Sequence, residues 1–246
     1  RKNFDDSDLR TKGLRIITNL DPVVQDYLEE SIRNTKAKLE KRYGSQLNEL
    51  EGAGIVIDSF SGEVVAAVGS TKPNSYGFNR AINAVRPIGS LIKPFIYLSA
   101  LQQYGKYNLS TLLDDSKLSV PLSGDKVWEP NNFDKKFHGN VPLHLALSES
   151  YNVATTRLGM ELGYSAVQET FTKLGIKKRI SNYPSIFVGS FEMSPLQAIQ
   201  AYQTIASEGF FSPLNAIRSV ESSEDVLSLS YPYKVEQRYR PEPIYL

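Results

Sequence analysis

The sequence predicts a mixed α/β fold of the α+β type, in which helices cover an antiparallel β-sheet. Two apolar segments, Gly54–Asp58 and Glu63–Val68, flank the turn-forming residues Ser59–Gly62, which predicts a β-hairpin. The segment after Ser90 is apolar on nearly all sides at helical spacing, which predicts a central, buried helix. Both strands are almost continuously apolar, so we expect the hairpin to be buried on both faces.

The first 50 residues predict a strand followed by an amphipathic helix. Leu14–Thr18 is rich in β-branched residues, Asp21 is suited to cap a helix, and Pro22 is suited to its first position. Apolar residues then recur at roughly helical spacing as far as Gly44. Because residues 45–52 are polar, we predict residues 1–50 to be a linker or inter-domain segment and residues 51–246 to be the main domain.

The rest of the chain predicts loops and four further helices. Residues 69–83 and 104–140 are rich in turn-forming residues, and no periodicity is clear after Ser219. The last three helices end at a glycine, and the last two begin with capping boxes. The four helices are Leu143–Leu147, Val153–Leu162, Ser165 to Gly175, and Ser194 to Gly209.

Composition excludes several classes of function. The chain has 28 Lys and Arg against 27 Asp and Glu, so its net charge of +1 gives no reason to expect nucleic acid as a partner. With no cysteine and only two histidines, we expect no metal and no other cofactor. No apolar run approaches the roughly 20 residues of a membrane span. We therefore expect no segment of this sequence to span a membrane.

Ser90 and Lys93 are candidates for a nucleophile and its base. Residues three apart on a helix lie on the same face, and a serine hydroxyl needs a base within reach before it attacks a carbonyl. Lysine serves as that base only if its pKa falls, and the apolar neighbours Leu91, Ile92 and Phe95 offer the burial that lowers it. The alternative is an ordinary helix start with a solvated lysine.

A second pair with the same spacing, Ser123 and Lys126, provides an internal comparison. Gly124 and Asp125 between them are typical of a turn, and no apolar helix follows. We therefore predict that this second pair has no catalytic role.

Ser150 and Asn152 are the next candidates. They form the only Ser-x-Asn sequence in the chain and lie between two predicted helices. A hydroxyl and an amide at such a turn can assist proton transfer and donate to a substrate carbonyl. The alternative is that they only cap the second helix.

The chain has Ser-x-x-Lys followed about 60 residues later by Ser-x-Asn. With these two motifs in this order it resembles the penicillin-recognising serine enzymes, whose motifs are well known. The sequence resembles in particular the transpeptidase domain of class A, bifunctional penicillin-binding proteins, over about residues 13–220. The matching segments are Gly13–Ile16 through Leu20–Pro22, Ser61–Gly69, Phe78–Ala81, Ile88–Phe95 and the Pro-Leu-x-x-x-x-Ala-Tyr segment Pro195–Tyr202.

The resemblance implies a central antiparallel sheet beside an all-helical region, with the active site between them. It further implies that Ser90 is acylated by peptidoglycan stem peptides ending in D-Ala-D-Ala, that Lys93 is the base, and that Ser150 and Asn152 assist. β-Lactams would acylate the same serine. The implied partners are an upstream glycosyltransferase domain and other cell-wall synthesis proteins. The resemblance also implies a connection to the membrane only through an anchor absent from this sequence, at the outer side of the cytoplasmic membrane, which is the periplasm in a Gram-negative cell.

One motif of that family is missing from these 246 residues. The sequence contains neither Lys-Thr-Gly nor Lys-Ser-Gly, which the family carries on an edge strand. We therefore expect the sequence to be C-terminally incomplete and to lack the last strands of the sheet. Two alternatives stay open: a non-catalytic penicillin-binding module that scaffolds or senses, and a serine β-lactamase. The second fits less well because class A β-lactamases have Ser-Asp-Asn where this chain has Ser150-Tyr151-Asn152.

Overall fold

The computed structural model describes residues 13–44, 49–72, 77–221 and 227–246. The α-helices in these residues are α1 Pro22–Tyr43, α2 Arg80–Asn83, α3 Lys93–Leu101, α4 Leu143–Ser148, α5 Asn152–Leu162, α6 Tyr164–Lys173, α7 Pro195–Ala206 and α8 Pro241–Tyr245. Two 3-10 helices cover Gly89–Ile92 and Pro184–Val188. None of the helices in the described ranges is long and apolar enough to cross a membrane.

The strands are short and form several small antiparallel sheets. They are β1 Arg15–Thr18, β2 Gly54–Ile57, β3 Val64–Val68, β4 Arg86–Pro87, β5 Leu112–Asp114, β6 Val120–Pro121, β7 Val127–Trp128, β8 Asn140–Pro142, β9 Glu192–Met193, β10 Phe210–Phe211, β11 Ile217–Glu221, β12 Leu227–Ser230 and β13 Glu236–Gln237. One sheet has the order β1-β11-β12, and the other strands pair as β2-β3, β4-β9, β5-β8, β6-β7 and β10-β13. The predicted mixture of helices and antiparallel strands is confirmed.

The chain divides into two compact units. The first consists of the chain up to Ala84 together with Ser194–Gln237, and the second of Val85–Met193 together with Arg238–Leu246. All four predicted site residues belong to the second unit. The predicted boundary between residues 1–50 and 51–246 divides the chain at a different place. Residues 45–48 beside that boundary lie outside the described part of the chain, so the boundary stays a prediction.

Local sequence signals account for the main helices of the first unit. Asp21 caps α1 by accepting hydrogen bonds from the backbone N–H groups of Val23 and Val24, as predicted. The capping box at the start of α7 is also confirmed, because Ser194 and Gln197 each accept from the other's backbone N–H. Both helices begin where their caps predict.

Four expectations about local structure are corrected. The hairpin is not buried on both faces: β3 buries Val64, Ala66 and Val68, but β2 is only half-buried and pairs with no other strand in the described ranges. The predicted loop 69–83, of which 73–76 lie outside the described residues, contains α2. Ser165 does not cap α6, which begins at Tyr164 directly after Gly163. The segment after Ser219, of which 222–226 are not described, contains the end of β11 and all of β12. These strands form because β11 pairs with both β1 and β12, which no local pattern encodes.

The second unit is built around α3, whose residues Phe95–Leu101 are all buried. Phe95 packs edge to face on Phe171 of α6 at 5.7 Å between ring centres, and Phe171 packs in the same way on Phe191. The prediction of a central buried helix after Ser90 is therefore confirmed. This packing places the first residue of α3, Lys93, inside the unit.

Candidate active site

Ser90 lies in the 3-10 turn Gly89–Ile92, immediately before α3, and its side chain is exposed. Two backbone hydrogen bonds hold the start of this turn: Gly89 N–H donates to the carbonyl of Gly189 at 3.0 Å, and Ile88 N–H donates to that of Phe191 at 2.9 Å. The approach is so close that a Cβ on Gly189 would lie 2.0 Å from the Gly89 oxygen. Glycine at position 189 is therefore required to fix the turn that presents Ser90.

The Lys93 side chain is buried and is surrounded by oxygen acceptors. Its Nζ donates to Asn152 Oδ1 at 2.7 Å, to Ser150 Oγ at 2.9 Å, and to the backbone carbonyl of Ser150. Ser150 Oγ in turn donates to Ser90 Oγ at 3.1 Å. The hydrogen-bond path from Ser90 to Lys93 therefore runs through the Ser150 hydroxyl, and the structure brings all four predicted residues together.

Burial changes the acidity of Lys93. The residue is 1% exposed, and loss of hydration lowers its pKa to about 8, while the negative charge of Asp115 opposes this shift. A lysine with this pKa is partly neutral near neutral pH, and a neutral amine can accept a proton. The alternative of a solvated lysine is wrong.

Ser150 lies in a tight turn between α4 and α5 with an unusual backbone conformation. Its φ is +58°, a region that residues other than glycine rarely occupy. The turn is closed by hydrogen bonds from Ser150 N–H to the Leu147 carbonyl at 3.0 Å and from Tyr151 N–H to the Ala146 carbonyl at 2.9 Å. This conformation points the Ser150 hydroxyl and carbonyl at Lys93.

The alternative that Ser150 or Asn152 only caps α5 is also wrong. The Asn152 and Val153 N–H groups at the start of α5 donate to Asn132 Oδ1, at 2.7 and 3.2 Å. The Asn152 amide instead donates to the Asn131 carbonyl at 2.8 Å while its oxygen accepts from Lys93. Because another loop caps the helix, the side chains of Ser150 and Asn152 are available to the site.

Sequence reasoning missed the polar residues that support this turn. They are Asp115, Asn131, Asn132 and His138, all between α3 and α4. The only signals were two carboxylates directly after the apolar pair Leu112–Leu113 and the adjacent asparagines in the lobe predicted to be irregular. Neither signal shows which distant backbone groups these side chains bind.

The second Ser-x-x-Lys pair forms no such site. Ser123 and Lys126 are exposed in the turn that joins β6 to β7, and that turn is closed by a hydrogen bond from Leu122 N–H to the Lys126 carbonyl at 2.8 Å. The prediction of a turn without a following helix is confirmed. Spacing alone therefore neither buries a lysine nor connects it to the serine three residues before it.

A serine linked through a second hydroxyl to a buried lysine of lowered pKa is the arrangement of an enzyme that forms acyl-serine intermediates. Comparison with known proteins agrees. Residues 52–243 match the family model of the penicillin-binding protein transpeptidase domain. The chain belongs to this family, which confirms the resemblance inferred from its motifs.

Individual relatives support the same assignment. The chain is 45% identical to penicillin-binding protein 1B of Vibrio cholerae over 222 residues, covering 89% of this chain and 28% of that protein. Among solved structures, penicillin-binding protein 1A of Haemophilus influenzae matches 95% of this chain and 48% of its own with a TM-score of 0.82 at 19% identity. PonA1 of Mycobacterium tuberculosis in complex with penicillin V matches 99% of this chain and 64% of its own with a TM-score of 0.77 at 23% identity. These two structures share the fold.

Proposed function

We propose that this chain carries the D,D-transpeptidase centre of a penicillin-binding protein that cross-links peptidoglycan, with Ser90 as the nucleophile. The observation that carries the proposal is the path from Ser90 Oγ through Ser150 Oγ to Lys93 Nζ, in which a buried amine of lowered pKa ends the path. Such an amine is the base that a serine needs for attack on an amide carbonyl.

Acylation begins when Lys93 is neutral, because the hydrogen bonds along the path can then reverse. Ser90 passes its proton to Ser150, Ser150 passes its own to Lys93, and Ser90 Oγ bonds to the carbonyl carbon of the penultimate D-alanine. Collapse of the tetrahedral intermediate breaks the peptide bond, and the departing D-alanine takes the proton from Lys93. Asn152 holds Lys93 through its oxygen and positions the substrate.

Deacylation follows the same path in reverse. The amine of a neighbouring stem peptide attacks the acyl carbon, its proton passes to Lys93, and Ser90 regains a proton as the new peptide bond forms. A β-lactam acylates Ser90 in the same way, but its leaving group stays tethered. The acyl-enzyme therefore persists, which makes penicillin a probe of this site.

The proposal extends to the surroundings of the protein. Its substrates are stem peptides ending in D-Ala-D-Ala, and it works at the outer side of the cytoplasmic membrane of a bacterial cell. An upstream glycosyltransferase domain supplies the glycan, and a membrane anchor outside this sequence holds the protein. The chain spans 28% of the Vibrio cholerae relative, a length that leaves room for such parts in that protein.

Labelling with a fluorescent penicillin tests the proposal on the complete protein. We expect one label per protein, loss of labelling in Ser90→Ala, and unchanged labelling in Ser123→Ala, which removes the serine of the matched exposed pair. Full labelling of a folded Ser90→Ala variant would overturn the assignment of the nucleophile.

A second measurement separates transpeptidation from the two alternatives. We expect the complete protein to release the leaving group of a D-alanyl thioester substrate and to transfer the acyl group to an added D-amino acid. Labelling without transfer would indicate a module that only binds β-lactams. Rapid turnover of a chromogenic cephalosporin would indicate a β-lactamase.

A further inference from the structure

A buried carboxylate that the proposed reaction does not use lies behind the active-site turn. Asp115 follows strand β5, and its side chain is completely buried. A buried carboxylate is expensive to desolvate unless several donors compensate it. Here four donors do so: Ala154 N–H binds Oδ1 at 3.0 Å, and the Asn132 amide at 2.6 Å, His138 N–H at 3.1 Å and His138 Nδ1 at 2.9 Å bind Oδ2.

These bonds connect Asp115 to the first turn of α5, on which Asn152 lies. The first N–H groups of a helix have no acceptor within the helix. In α5, Asn132 Oδ1 accepts from Asn152 and Val153, and Asp115 accepts from Ala154. Because the same carboxylate also fixes the amide of Asn132, it determines where the first turn of α5 lies. A negative charge at this end is further favoured by the helix dipole.

A second connection reaches the Ser150 side of the turn through His138. The His138 ring stacks on Tyr151 with 4.1 Å between ring centres and an angle of 12°. Tyr151 is the neighbour of Ser150, whose backbone occupies the unfavourable region at φ +58°. A conformation of this kind persists only where its surroundings enforce it. The stack and the bonds of His138 to Asp115 provide part of that enforcement.

Asp115 also acts on Lys93 through its charge. Lys93 is the charged partner that faces it from α3, and the negative charge of Asp115 opposes the effect of burial on the Lys93 pKa. Loss of hydration and, in addition, the negative charge of Asp115 raise the pKa of Tyr97 on α3 and of Tyr151 before α5. His138 contacts Asp115 directly and also contacts Asp134 at 3.1 Å. Substitution of Asp115 should therefore alter both the geometry and the acidity of the site.

We propose that Asp115 is a positioning residue that holds Asn152 and the Ser150 turn against Lys93 and partly compensates the burial of the lysine's positive charge. This inference rests on the proposed function insofar as Lys93 is the base. It assigns to Asp115, Asn132 and His138 one shared task, which the Ser-x-x-Lys and Ser-x-Asn sequences do not reveal.

Three variants of the complete protein and one matched control test the inference. Asp115→Asn removes the negative charge of Asp115. Asn132→Ala and His138→Ala keep that charge, and each removes one connection between Asp115 and the active-site turn. Asp114→Asn is the control, because this neighbouring carboxylate is exposed and contacts Arg157 of α5 at 3.3 Å without contacting the turn. Thermal unfolding identifies which variants fold.

The first readout is the penicillin acylation rate as a function of pH. We expect the plateau rate to fall about 10- to 100-fold in Asp115→Asn and Asn132→Ala, as expected for misplaced catalytic groups, and less in His138→Ala. In Asp115→Asn the acid limb should also move to lower pH, because loss of the negative charge makes Lys93 easier to deprotonate. Asn132→Ala, which changes no charge, should not show this shift, and the control should match the wild type.

The second readout does not depend on acylation. Lysine side-chain NMR follows the titration of Lys93, assigned by its absence in Lys93→Arg, and we expect a lower midpoint in Asp115→Asn than in wild type or Asp114→Asn. If wild type is not acylated, the proposed function fails while this titration still decides the inference. The inference about Asp115 would be overturned by an unchanged titration midpoint of Lys93 in folded Asp115→Asn. It would also be overturned if folded Asn132→Ala were acylated at the wild-type rate. If Asp115→Asn does not fold, the plateau acylation rates of Asn132→Ala and His138→Ala are compared with the rate of the control. Lower rates in these two variants would support the positioning role, and rates equal to the control would overturn it.

Discussion

The two Ser-x-x-Lys turns of this chain have the same spacing and entirely different surroundings. Ser90 precedes the buried helix α3, so Lys93 is removed from water and bound by Ser150 and Asn152. Ser123 and Lys126 lie in an exposed turn between two short strands. The comparison teaches that equal spacing gives a buried, hydrogen-bonded lysine in one turn and an exposed one in the other. In the proposed function, reactivity depends on the burial of the lysine and on the Ser150 turn, and the following predictions test each of these parts.

The largest effect is expected from removal of the buried lysine. Lys93→Ala should reduce the acylation rate by about 10²–10⁴-fold, the usual contribution of a general base, while Lys126→Ala leaves the rate unchanged. The measurement is the time course of fluorescent penicillin labelling for both variants, with circular dichroism to confirm folding. Wild-type acylation by a folded Lys93→Ala variant would remove lysine from the role of base.

The next effect concerns pH. Because only neutral Lys93 accepts a proton and its pKa is lowered to about 8, the acylation rate should rise with pH and level off above about pH 8. Below that value the rate should fall about tenfold for each pH unit, since the neutral fraction of Lys93 falls in that proportion. The check is the rate of acylation at low penicillin concentration across this range. A rate that stays constant from about pH 6 to about pH 8 would contradict a base of this acidity.

The third prediction concerns the glycine contact that fixes the Ser90 turn. Gly189→Ala would place a Cβ 2.0 Å from the Gly89 oxygen, whereas Gly105→Ala meets no atom within 4 Å. Both glycines have positive φ, +90° and +79°, so backbone strain is similar in the two variants. Gly189→Ala should therefore lose about 1–3 kcal/mol more free energy of unfolding than Gly105→Ala, and should acylate more slowly.

Chemical denaturation and penicillin labelling of the two alanine variants provide the measurements for this third prediction. Equal stability of the two would show that the segment near Gly189 can move away from Gly89. The close approach would then have no part in presenting Ser90.

The smallest effect is expected from the strained backbone of Ser150. The exposed turn places Gly124 at φ +70°, where the conformation has little cost, but the active-site turn places a serine at φ +58°. Ser150→Gly and Ser150→Ala both remove the hydroxyl, so their difference in stability reports the backbone strain together with the greater flexibility of glycine in the unfolded chain. Ser150→Gly should be the more stable by about 1 kcal/mol in denaturant unfolding, and both should acylate slowly. A more stable alanine variant would show that the turn relaxes without the hydroxyl.

Local features of this sequence predicted local structure well. Asp21 and the pair Ser194 and Gln197 mark helix starts because a side chain three residues away can satisfy the first N–H groups. The hairpin and the apolar helix α3 followed from their own residue patterns. The candidate site could be proposed because its two motifs are short and have a fixed order.

The contacts that shape the site could not be predicted in the same way. Gly189 meets Gly89 across 100 residues of chain, and Asp115 binds Ala154 across 39. Such pairs depend on how loops close around the buried helix, which no local periodicity encodes. The same reason explains why β11 was missed, since it pairs with the distant strand β1 as well as with β12.

The central claim is that burial of Lys93 makes Ser90, and not Ser123, the nucleophile. Peptide mapping by mass spectrometry after penicillin treatment of the complete protein tests it in one sample, because both serines are observed together. The account predicts a penicilloyl adduct on the peptide that contains Ser90 and none on the peptide that contains Ser123. An adduct on any other residue with Ser90 unmodified would contradict it.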